Sequence, residues 1–171
     1  MFCIGDSFIY GSNGICELID IEDKMIQNEK VMYYVFKPVF TNVSTIYVPV
    51  DNKKLTAKLR PLLSPPEVYA LIDQMPYEGN CWIDDERQRK ECYKEMIEKG
   101  NHTELLQLIK SIFFHQEDLK KLDKKLHISD ERFMKEAEKM LYDEFAYVLN
   151  IDRNHILSFV KERVSTKNHM N

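Results

Sequence analysis

The chain reads as an α+β protein, a small antiparallel β module followed by an all-α part. Three observations predict this. Short runs rich in Val, Ile, Tyr and Phe, separated by turn residues, fill the first sixty or so positions. Apolar residues at helical spacing fill the rest, from the Ser64-Pro65-Pro66-Glu67 helix start onward. A single non-periodic stretch, Pro76 to Lys94, holds the only tryptophan, Trp82. The predicted architecture is a small, strongly bent antiparallel Tudor/SH3-like β-barrel over residues 1–60 and a compact five-helix domain over residues 61–167.

In chain order, Ser7-Phe8-Ile9-Tyr10 is a strand ended by Gly11-Ser12-Asn13-Gly14, where glycine reaches positive φ without steric cost. Ile15 to Ile21 alternates, with Ile15, Glu17, Ile19 and Ile21 expected on one face and Cys16, Leu18 and Asp20 on the other. Glu22-Asp23-Lys24 and Gln27-Asn28-Glu29-Lys30 read as the two sides of a polar hairpin connection. Val31 to Phe40 has the composition of a central strand, and Thr41-Asn42 turns the chain into a strand over Ser44 to Pro49. Pro49 donates no ladder hydrogen bond, which puts that strand at an end or an edge. An edge strand can accept a strand from another protein; pattern alone leaves that reading level with a barrel that binds nothing.

In the second part, Ser64 caps a helix whose apolar face is Val68, Leu71, Ile72 and Met75. A second helix starts near Asp84 and stops at Gly100, with a thin apolar face of Tyr93, Met96 and Ile97. A third starts at Asn101 to Thr103 and carries a wide stripe from Leu105 to Phe113. Glu117 to His127, a mixture of lysines and acids, reads as a solvated connection. Ser129-Asp130-Glu131 caps a long helix with Phe133, Ala137, Leu141 and Phe145 inward, and Asp152 caps a last one; the tail from Ser165 is expected to fray.

Composition narrows the functions. The 171 residues are 44% hydrophobic and 30% charged, so the chain is globular. No run reaches a membrane span and no N-terminal leader pattern is present, so a cytoplasmic location is expected. Cys3, Cys16, Cys81 and Cys92 lack zinc-knuckle spacing and are expected to be structural. The net charge of −4 is uneven: residues 1–66 carry seven basic and seven acidic groups, residues 67–171 carry 17 and 21. A protein that holds nucleic acid by phosphate contacts alone usually has a basic excess.

No catalytic constellation, metal-ligand spacing or phosphate loop is present, so neither an enzyme nor a cofactor nor a small-molecule substrate is expected. Trp82 resists a bland account. It sits among Asn80, Cys81, Asp84 and Asp85 rather than in a periodic apolar stretch. It is either a plug over the helical core or an aromatic that wedges beside a base, with arginines nearby for phosphates.

The order of residues resembles the CarD/CdnL family, whose N-terminal RNA-polymerase-interacting domain is shared with the transcription-repair coupling factor. The matching residues are Ile4 to Tyr10, Gly14 to Ile19, Tyr33 to Lys37 and Thr45 to Asn52. Beyond them come Trp82, Arg89, Tyr93-Lys94, Ile97 to Gly100, Leu105 to Phe113, and the helix after Ser129 with Ala137 and Leu141.

The resemblance implies a bacterial transcription regulator. Its barrel would bind the RNA polymerase β subunit through Thr45, Ile46, Tyr47 and Val48 together with Lys24. Its helical domain would contact promoter DNA at the upstream edge of the melted −10 region, stabilising the open complex. Trp82 would be the wedge in the minor groove; Arg89 and Lys94 match backbone-facing positions, and Arg87 and Lys90 join them by proximity. Some relatives carry arginine where this chain has Tyr47, which implies an apolar or hydroxyl-mediated contact there. Asp84, Asp85 and Glu86 beside the wedge imply DNA binding too weak to act without polymerase. A monomer is expected, with exchange of barrel strands as the route to a dimer. The rival reading is a polymerase-bound adaptor whose acidic helical domain contacts a second protein.

Overall fold

The computed structural model describes residues 2–42, 44–75, 79 and 81–168, without the side chains of Ser12, Lys167 and Asn168. Pro76 and Asn80, expected to break the chain before Trp82, and His169 lie outside the described residues. The chain divides into two compact units, residues 1–63 and 64–171. The expected cut at residue 60 falls inside a strand of the first unit.

The first unit is a five-stranded antiparallel sheet. Its strands are β1 (Ser7–Tyr10), β2 (Ile15–Ile26), β3 (Glu29–Pro38), β4 (Ile46–Pro49) and β5 (Leu59–Pro61), with a short helix α1 (Lys53–Thr56) between the last two. The spatial order β4-β3-β2-β1-β5 puts β4 and β5 at opposite edges, so the sheet is open. The α+β class and the Tudor-like fold stand as expected; the one correction to that architecture is that the sheet is open rather than closed into a barrel.

A second correction concerns the hairpin. The strands continue past Ile21 and close at Gln27-Asn28, with φ of 49° and 65°. Positive φ at both central residues gives the turn whose twist matches its flanking strands. The charges expected in a loop are cross-strand neighbours instead, and Lys30 bridges Asp23 at 2.8 Å.

A third concerns parity. The β2–β3 register shifts between Leu18 and Asp20, so Ile19 is a bulge residue. Cys16 and Leu18 line the core and Ile21 packs against it, three residues on. A regular two-residue period cannot place Leu18 and Ile21 on one face; the bulge can. Tyr34, Phe36, Val48 and Leu59 complete the core, and Phe2 and Phe8 close it with ring centroids 4.4 Å apart. Burial of the Cys16 thiol raises its pKa to about 11, so it packs as a small apolar group.

The second unit holds five helices among the described residues: α2 (Pro65–Gln74), α3 (Glu86–Lys99), α4 (His102–Lys121), α5 (Ile128–Leu149) and α6 (Ile156–Asn168). Side chains that the sequence offers cap several of them. Asp85 accepts from Gln88 N at 2.8 Å, Asn101 accepts from Glu104 N at 3.1 Å, and Gly100 ends α3 at φ 61°. Three helices differ from expectation. α6 begins at Ile156, past Asp152, and runs to Asn168 through the tail expected to fray. α4 runs to Lys121, into the segment expected as a connection, held by Lys120–Glu117 and Lys121–Asp118 pairs one turn apart. α5 starts two residues earlier, with His127 as its cap, which leaves Ser129 inside the first turn.

Val68, Ile72, Tyr93, Leu105, Leu108, Ile112, Leu141, Phe145 and Ile156 form the apolar interior of this unit. Polar side-chain contacts fasten its helices together. Arg163 makes a two-pronged contact with Asp73 at 2.8 and 2.9 Å, joining α6 to α2. His102 meets the buried Glu144 at 2.7 Å, joining α4 to α5.

Candidate functional site

The residues expected to meet partners fall into two sets, one on each unit. In the sheet unit, β4 is an edge strand. Val50 N donates to Met32 O at 3.0 Å, and the pairing runs Tyr34↔Val48 and Phe36↔Ile46. In an antiparallel ladder hydrogen-bonded pairs alternate, so residues 46, 48 and 50 bond to β3. The N–H and C=O of Tyr47 therefore point to the open side. Pro49 has no donor, and its carbonyl already accepts from Asn52 N at 3.1 Å.

The side chains split the same way. Val48 is fully buried and Ile46 packs against the core, so neither offers its side chain to a partner. Tyr47 faces out at 40% exposure. The Lys24 ammonium on β2 lies 3.3 Å over its ring, and Tyr33 meets it edge-on at 6.2 Å. The structure thus brings Lys24 and Tyr47 together across β3. Thr45 is exposed just before β4. Tyr33 is the residue that strand pattern alone did not single out. Its diagonal relation to Tyr47 follows from the Val35↔Tyr47 register and is invisible without it.

In the helical unit, Arg87, Lys90 and Lys94 stand three and four residues apart and share one side of α3. The Arg87 and Lys94 side chains are 88% and 72% exposed. Each cation has an acid beside it: Arg87 Nε is 3.3 Å from Glu91, Lys94 is 3.8 Å from Glu98, and Lys90 contacts Glu86. Lys90 holds the Glu86 carboxyl below the usual carboxylate range.

Arg89 belongs elsewhere. It is 5% exposed, and its Nε and Nη2 donate to the two carboxylate oxygens of Asp130 at 3.0 and 2.9 Å. Its Nη1 donates to the carbonyls of Ile83 and Asp84 at 2.7 and 3.2 Å. Turning outward to a phosphate would strand Asp130, itself 1% exposed, as an unpaired buried charge. The expected backbone-facing role of Arg89 is therefore replaced by a fastening of α3 to α5.

Trp82 is half-buried. Its indole Nε1 donates to Asp84 at 3.1 Å, its ring stacks on His115 of α4, and the Arg89 guanidinium lies over it. Next to it, Cys81 N donates to the buried Ser111 Oγ at 2.7 Å, which fixes the segment to α4. The acids around Trp82 each have local work: Asp84 holds the indole, Asp85 caps α3, and Glu86 pairs with Lys90 and lies 3.5 Å from His127.

Among the described residues no three His, Cys, Asp or Glu side chains gather as a metal site, and no helix is long and apolar enough to cross a membrane. The cysteines are free, with Cys3 exposed rather than packed inside.

Comparison with known proteins finds a family match within the sheet unit and one relative along the chain. Residues 2–63 match the family described as CarD-like/TRCF RID domain, an RNA-polymerase-interacting domain. Along nearly its full length the chain is 24% identical to a Bacillus subtilis (strain 168) protein named "Putative transcription factor YdeB". That alignment spans 159 residues, 93% of this chain and 99% of the relative.

Proposed function

We propose that this protein regulates bacterial transcription by docking on the RNA polymerase β subunit through β4 and stabilising the promoter open complex with its helical unit. The observation that carries the reading is the family match over residues 2–63 on a sheet whose β4 edge offers the Tyr47 N–H and C=O. A partner strand added there gains main-chain hydrogen bonds, while Tyr47, Lys24 and Tyr33 select its side chains.

Promoter DNA meets the helical unit at the upstream edge of the melted −10 region. Arg87, Lys90 and Lys94 face its phosphates and Trp82 its minor groove. Each of these cations already has an acid at hand, so the intrinsic DNA affinity is low. Docking raises the local concentration of the helical unit at the promoter, and a weak contact becomes effective. A wedge favours an unstacked step, so it selects the melting fork over closed duplex. Stabilisation by about 1.4 kcal/mol shifts the closed–open equilibrium roughly tenfold.

The acidic excess of the helical unit and the acid beside every cation of α3 favour a second reading, an adaptor that contacts another protein. Photo-crosslinking from positions 87 and 94 decides between them. Crosslinks to promoter DNA that appear only with polymerase present support the open-complex reading; crosslinks to protein alone support the adaptor.

A further inference from the structure

The two groups that flank Trp82 restrict how its ring can be used. The His115 imidazole lies 3.6 Å from the indole centroid with 17° between the planes, and the Arg89 guanidinium carbon stands 4.3 Å over the ring. Carbon atoms in contact keep ~3.5 Å apart. Two planar groups this near one ring centre cannot lie side by side on the same face, so they cover opposite faces. The half of Trp82 that solvent reaches is its rim.

One wall of this slot is fixed, since Arg89 is locked by Asp130 and two carbonyls. The other wall is His115, a half-buried side chain on α4 with Asp118 as its charged neighbour one turn on.

We propose that His115 is a positioning residue that holds Trp82 edge-on, so that the indole enters a groove by its rim and does not stack its face on a base. The inference rests on the proposed DNA contact of Trp82 and adds to it the mode of contact and the residue that enforces it. An edge-on indole suits the minor groove of a kinked duplex. A face-on indole would suit any single strand, because every base has a π-face. His115 thereby biases the helical unit toward the fork and away from indiscriminate single-strand binding.

Trp82 is the only tryptophan, so its fluorescence in the full-length protein reports this slot alone. The test compares wild type, His115→Ala and His115→Phe by acrylamide quenching, by titration with single-stranded oligothymidylate, and by open-complex lifetime with polymerase. Loss of one aromatic stack changes the held-to-released ratio of the indole by about two- to tenfold. His115→Ala is expected to raise acrylamide quenching by a factor in that range, to gain stacking-type quenching by the oligonucleotide, and to shorten open-complex lifetime. His115→Phe, which restores a flat partner, should return all three toward wild type.

Unchanged acrylamide quenching in His115→Ala overturns the proposal, because the indole is then held without His115. Oligonucleotide quenching of wild type equal to that of His115→Ala also overturns it, because a face is then open already. A lifetime shortened by Trp82→Ala but not by His115→Ala would deny His115 any part in the contact. A lifetime unchanged by Trp82→Ala would instead refute the DNA-contact reading beneath it, while the fluorescence still judges the slot.

Discussion

The candidate site of each unit sets an aromatic residue against a cation, and the two arrangements have opposite consequences. Tyr47 lies on an exposed edge under the Lys24 ammonium, and its own backbone groups point outward. Trp82 lies in a slot whose guanidinium is buried and committed to Asp130. The sheet unit therefore spends little internal stability on its candidate contact residues. The helical unit spends Arg89 on cohesion, while Arg87, Lys90 and Lys94 stay at its surface. Cations of equal formal charge, a few residues apart on α3, divide by burial into one fastening residue and three solvated ones.

The largest effect is expected where that division is broken. Asp130→Ala leaves the Arg89 guanidinium buried without its carboxylate and should destabilise the helical unit by about 3–5 kcal/mol, read as an early transition in urea unfolding. Arg89→Ala should cost a comparable amount for the converse reason. Arg87→Ala, two residues away and exposed, should stay within about 0.5 kcal/mol of wild type. Similar costs at both positions would erase the contrast.

Helix starts come next. Asp85→Ala removes the acceptor for Gln88 N and should cost about 1 kcal/mol. Tyr93→Phe goes the other way: the Tyr93 hydroxyl is buried with no hydrogen-bond partner among the described residues. Its removal should be neutral or stabilise by about 1 kcal/mol, seen as an unchanged or raised Tm.

The smallest effect concerns pH. Hydrogen bonds from the Ser64 hydroxyl and backbone N–H hold the Glu67 carboxyl below its ordinary value. A depressed folded pKa stabilises the protein above the unfolded carboxylate pKa of about 4.3. That contribution disappears as pH falls through the folded value. Glu67→Gln should therefore lower stability slightly near neutral pH and flatten the acid limb below about pH 4.3, so that variant and wild type converge at low pH.

How much of this the sequence reveals depends on how far apart the interacting residues are. The Asp85, Asn101 and Gly100 helix ends are legible because a cap and its target are within four residues. The bulge at Ile19 hides because the strand pattern reads equally well without it up to Leu18, and only Ile21 betrays the change of parity. The open sheet hides because closure depends on whether β4 can reach β5, which no local pattern states. α4 outruns its apolar stripe because its last two turns are held by side-chain ion pairs on a solvated surface. At the candidate site, Trp82 and the α3 cations stand out by residue type. The burial of Arg89 does not, since its partner Asp130 is 41 residues away and reads as an ordinary first-turn acid.

The central claim is that β4 docks on polymerase by adding a strand, and one comparison tests it most directly. Tyr47→Pro deletes an N–H that faces away from β3, so the sheet keeps its own ladder while a partner strand loses a donor. Tyr47→Ala keeps that N–H and loses only the ring. Binding of the full-length variants to RNA polymerase should fall further for Tyr47→Pro than for Tyr47→Ala, with both folded as judged by urea unfolding. Equal binding by the two variants would contradict strand addition at β4 and leave docking to side chains alone.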